Sequence, residues 1–147
     1  MKLYFNFSKI KFVSLIELIT SISILLLISV LLHEEYILPP FLATASTKYA
    51  DKDWKINKQT TIVFSYLFAG IVAVIFSLFV YGIFYATIAS FVCYLIELVL
   101  NIEHPPSLLV TFIGVLDHVK FTYIIKPVLI GIFIIEGISY ILEYKIK

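Results

Sequence analysis

Apolar residues in this chain come in long runs separated by short polar clusters. Four runs reach membrane-spanning length: residues 12–32, 61–81, 82–100 and 123–143. A bilayer core of about 30 Å needs roughly 20 helical residues, so each run predicts one transmembrane helix. The middle two are continuous in hydropathy, and a single helix of that length would overrun the core. The chain is therefore expected to turn back near Tyr81 and Gly82.

Two further apolar segments are too short to cross as helices: residues 39–47 and 105–116. Each opens on two prolines, Pro39-Pro40 and Pro105-Pro106. Proline suits the first turn of a helix and not its interior, so each pair predicts a stop followed by a restart. The pairs lie about 66 residues apart, and the same shift lays long run on long run. The expected architecture is all-α: a polytopic membrane protein of four long helices and two short Pro-broken half-helices. It forms one domain of two inverted repeats, residues 12–81 and 82–147. Matching Pro-interrupted segments in two halves are a sequence pointer to a transporter site.

Composition agrees with a membrane protein. Of 147 residues, 61% are hydrophobic and 14% charged, and mean hydropathy is +1.04. The net charge of +1 gives no electrostatic case for nucleic acid. Every basic residue is lysine, so the chain offers no guanidinium fork. Cys93 is alone in an apolar run and reads as a small buried hydrophobe. The first run ends in His33-Glu34-Glu35 with no small-residue cleavage site, which predicts a retained helix.

Lysine placement discriminates between topologies. If the short segments are re-entrant, five lysines face six and there is no bias. If they cross, Lys48, Lys52, Lys55 and Lys58 join Lys2, Lys9, Lys11, Lys145 and Lys147 against Lys120 and Lys126. The positive-inside rule favours the second arrangement, in the plasma membrane with both termini cytoplasmic. Residues 48–59 read as a solvated loop with Trp54 at the interface.

Candidate chemistry gathers at the second Pro-Pro pair. Glu103 and His104 stand before Pro105, Pro106 and Ser107. A helix N-terminus favours an anion, and His104 can donate a hydrogen bond to it or carry a proton with it. Glu103 can adjust the charge. Pro39, Pro40 and Thr44 form the corresponding end of the first short helix, where Ser46 and Thr47 can line a polar path. Glu17, Glu97 and Glu136 fall inside long spans and must face the protein interior, water or a partner. Glu97 and Glu136, with Glu35 before the first Pro-Pro pair, are candidates for proton or charge coupling. Glu17 lies near a span end, where it can snorkel. Lys126 can neutralise one of these acids. His33-Glu34 does not extend to a zinc-binding helix, because Ile37 holds the second histidine position. No metal, cofactor or enzymatic constellation is expected.

His104-Pro105-Pro106, then Pro127-Val128-Leu129-Ile130-Gly131, together with Pro40-Phe41-Leu42-Ala43-Thr44-Ala45, resembles the HPP family of integral membrane proteins. The resemblance implies a multi-span protein and, from some relatives, nitrite transport. The expected function is passage of a small inorganic anion, nitrite first, with lipid as surroundings. Six helical segments enclose little space, so a homo-oligomer, most simply a dimer, is expected. The other reading is a structural or assembly protein of the membrane without transport.

Overall fold

A computed structural model describes residues 9–33, 38–51 and 53–146. Glu34, Glu35 and Lys52 lie outside the described residues. The described chain is helical: α1 (Lys9–Leu32), α2 (Leu38–Ala50), α3 (Gln59–Ser77), α4 (Ile83–Leu100), α5 (Leu108–Leu116) and α6 (Ile130–Ile146). Four spans are long and apolar enough to cross a membrane: Phe12–Leu32, Gln59–Ser77, Ile83–Leu100 and Ile124–Ile141.

The local reasons follow from sequence. Gly82 turns the chain between α3 and α4 at φ +101°, a conformation that side chains disfavour. Asn101 ends α4 in the left-handed region, and the next N–H, of Ile102, returns to the Glu97 carbonyl. Pro105 and Pro106 open a 3₁₀ turn, Pro105–Ser107, that runs straight into α5. Pro127 has no N–H to donate, and the backbone absorbs the loss as a π turn, Ile124–Leu129, that feeds α6.

Two expectations need correction. The first short helix is longer than residues 39–47 and runs to Ala50. Lys48 is therefore not a loop lysine. It is buried in the last turn of α2. The cause is a distant partner, Glu136, which makes burial of the ammonium tolerable. The Asn57 amide completes this end of α2 by donating to the carbonyls of Thr47 (3.0 Å) and Asp51 (2.6 Å). Likewise Glu17 does not snorkel. It is buried at 1% exposure.

Helix directions alternate. Phe41 of α2 stacks on Tyr66 of α3 at 4.6 Å and lies flat against Gly131 of α6, while Gly70 of α3 meets Ile124 and Val128. Moving forward along α3 is thus moving backward along α6. Phe41 at Gly131 and Lys48 at Glu136 set α2 parallel to α6. Ser21 of α1 meets Tyr49 of α2 at 2.6 Å, and Ser90 of α4 meets the Leu108 carbonyl of α5. Re-entrant short segments would set α3 and α6 parallel, and their antiparallel register is the one expected if the short segments carry the chain across. One core holds Leu25, Phe41, Tyr66, Ile132 and Ile135 together, and α1 and α4 turn wide apolar faces outward.

Candidate functional site

The buried face of α2 carries Phe41, Thr44, Ala45 and Lys48, a spacing of one helical stripe. Thr44 faces the start of α5, where the Pro-Pro restart holds His104 in extended backbone, φ −139°. His104 is fully buried. Its Nδ1–H donates to the Ile56 carbonyl at 2.7 Å, and its Nε2 meets Thr44 Oγ1 at 2.8 Å. The Tyr66 hydroxyl lies 2.5 Å from Thr44 Oγ1 and donates to the Pro40 carbonyl at 2.7 Å. The N-terminal ends of the two short helices are thereby joined through Tyr66 and Thr44.

Glu97, in the last turn of α4, lies under the same restart and is also fully buried. Its Oε2 accepts from the His104 backbone N–H at 3.3 Å, and its Oε1 lies 2.7 Å from Ser107 Oγ. The Cys93 thiol points at the same carboxyl from one turn earlier. Pro40, Pro106 and Ser107 are buried around this cluster, whereas Pro39 and Pro105 are exposed.

Glu103 separates from His104. It turns to Lys55 (3.1 Å), which also donates to the Asn101 side chain. Its own backbone N–H, then the Lys55 ammonium, hold its carboxyl below the usual carboxylate range. Glu103 is ionised near neutrality and anchors the loop before α3 to the loop after α4. A lowered carboxyl stabilises the fold above the normal carboxylate range and loses that effect as pH falls through it. The pair is partly exposed, so its contribution is small and weakens with salt.

Glu136 and Lys48 form a second buried group, with Nζ and Oε2 2.5 Å apart. They line a cavity of about 190 Å³ with Asn57, Gln59 and Ser139. Glu136 Oε1 and Asn57 Oδ1 are buried there without a protein partner among the described residues. At about 30 Å³ per molecule the cavity has room for several waters. Ser46 and Thr47 do not line a path: both hydroxyls donate to the Ala43 carbonyl, the usual use of hydroxyls in membrane helices. Lys126 is exposed in the π turn, and His33 is exposed at the end of α1.

Sequence reasoning missed Tyr66, Asn57, the Ile56 carbonyl and the buried Lys48. Lys48 carried a signal, since it falls one turn after Thr44 on the apolar side of α2. Tyr66 and Ile56 carried none, because tertiary packing alone brings them to His104.

These features define a polytopic α-helical membrane protein with buried ionisable groups at a helix restart. The chain matches the family described as HPP, transmembrane region, over residues 6–146, and it belongs to that family. No curated protein and no solved structure matches it.

Proposed function

We propose that the protein passes a small inorganic anion across the plasma membrane, with nitrite as the leading candidate. One observation carries this reading. Glu97, His104, Lys48 and Glu136 are all buried in a bundle whose outer face is apolar, and they cluster around α2 and the start of α5. Buried ionisable groups at membrane depth are costly and typically mark ion pathways. The cavity beside Lys48 and Glu136 adds space within that polar region. An incoming anion competes with Glu136 for Lys48, and a proton on Glu136 releases the ammonium to it. The two opposed short helices act as the two halves of an inverted repeat. Both termini face the cytoplasm, and a homodimer encloses the pathway.

A structural role without transport is the second reading. It draws on His104, whose two ring nitrogens are both engaged by protein. Purified protein in nitrite-loaded vesicles decides between them. Transport expects nitrite release above empty vesicles and a loss of release in His104→Ala and Glu136→Gln. Equal release from empty vesicles, wild type and variants, for nitrite and other small anions alike, overturns transport.

A further inference from the structure

The contacts around His104 begin and end on backbone carbonyls. In order they are Ile56 C=O to Nδ1 (2.7 Å), Nε2 to Thr44 Oγ1 (2.8 Å), Oγ1 to the Tyr66 hydroxyl (2.5 Å), and that hydroxyl to Pro40 C=O (2.7 Å). A carbonyl only accepts. Four contacts in series between two carbonyls need four protons. A neutral imidazole, a threonine and a tyrosine bring three. With neutral His104 one contact must set lone pairs against each other, and His104, Thr44 and Tyr66 are all closed to solvent. With imidazolium every contact is filled: Nε2–H donates to Thr44, Thr44 to Tyr66, and Tyr66 to Pro40.

Ser107 shows the same shortage next door. Its single hydroxyl proton faces both the Glu97 carboxyl (2.7 Å) and the His104 carbonyl (2.6 Å). A proton on Glu97 Oε1 fills the set, because the carboxyl then donates to Ser107 and Ser107 to the carbonyl.

We infer that Glu97 and His104 form a two-site proton-binding centre at the start of α5, with the His104 proton held through Thr44 and Tyr66. As part of a transport cycle this rests on the anion-transport reading, and it names the ion that travels with the anion. Proton binding itself does not depend on that reading. Binding adds one proton at His104 Nε2 and one at Glu97 Oε1, and no covalent bond to a heavier atom breaks.

The groups facing the centre come from four helices. Lys48 of α2 acts on the ring, and Glu136 of α6 neutralises it. Tyr66 of α3 lies 5.8 Å away, ring to ring. Glu97 of α4 touches the His104 backbone, and Glu103 is already committed to Lys55. Burial favours a neutral ring. The completed hydrogen-bond chain works in the opposite direction, because an unmade bond in a dry site costs its full desolvation.

The test is ¹⁵N NMR of histidine-labelled, full-length protein in lipid, over about pH 5 to 8 where imidazole titrates. His33 and His118 are assigned by substitution. The expected result is an imidazolium His104 at the acid end. Tyr66→Phe is the decisive variant. Without the phenol two contacts remain, and a neutral ring plus the Thr44 hydroxyl fill both. Its His104 titration is expected to move down by about one pH unit or more, a tenfold change in proton affinity. Thr44→Ser keeps all four contacts and is expected to titrate like the wild type. A His104 that stays neutral throughout, or that titrates identically in Tyr66→Phe, overturns the proposal. If Tyr66→Phe fails to fold, the wild-type spectrum decides alone. Nitrite release with a neutral His104 would refute the proton centre and leave transport standing. A titrating His104 without release of any anion would do the reverse.

Discussion

Gly131→Ala is expected to destabilise the protein although alanine is the better helix former. A methyl group built on Gly131 would lie 2.1 Å from the Phe41 ring, and the ring would have to withdraw by about 1.5 Å to reach ordinary contact. Phe41 is 1% exposed and stacked on Tyr66 at 4.6 Å, so it has no free space behind it. Overpacking of this kind costs up to about 3 kcal/mol. Helix propensity returns about 1 kcal/mol, which leaves a net loss of about 2 kcal/mol. Gly137 is the control on the same helix. Among the described residues nothing lies within 4 Å of its added methyl, so Gly137→Ala is expected to be neutral or stabilising by up to about 1 kcal/mol. The assay is unfolding of purified protein in mixed micelles by a denaturing detergent, followed by circular dichroism. Phe41→Leu completes a double-mutant cycle. The Gly131→Ala loss should largely vanish in the Phe41→Leu background, giving a coupling of about 2 kcal/mol. Gly131→Ala at wild-type stability, or two losses that simply add, would refute the close packing of α2 on α6.

The same unfolding assay tests the buried ion pair. Lys48→Ala leaves Glu136 without its buried partner and is expected to cost about 3–5 kcal/mol, most of it recovered by adding Glu136→Leu. Unchanged stability in Lys48→Ala would show that the two groups are not paired. Topology is read by cysteine labelling with a membrane-impermeant maleimide. Asp53→Cys and Lys120→Cys are expected to react from opposite faces of the membrane, and native Cys93 is buried and gives no background. Reaction of both from one face would overturn the alternating arrangement.

Much of the fold was legible because the bilayer imposes simple rules. Runs of about 20 apolar residues have no alternative to helix in a medium without water, so the four spans follow from hydropathy. Proline fixed the start of both short helices, and Asn101 and Gly82 stand where the chain reverses. The lysine distribution favoured crossing short helices, and the antiparallel register of α3 and α6 agrees with crossing. The end of α2 was not legible. Residues 48–50 resemble a loop, and it is Asn57, folded back from the next turn, and Glu136, distant in sequence, that make a helical, buried Lys48 favourable.

The candidate site divides along the same line. Residue types alone marked Glu97 and Glu136 as groups that must face the interior, water or a partner, because a carboxylate in hydrocarbon is costly wherever the chain places it, and marked His104, Thr44 and Ser107 as candidates at the starts of the short helices. Which partner each one found was a matter of tertiary structure. Glu103 and His104 are neighbours in sequence, yet one faces Lys55 at the surface and the other Thr44 in the interior. An extended residue and its neighbour point to opposite sides, and only the packing of α2 against α5 determines which side is dry.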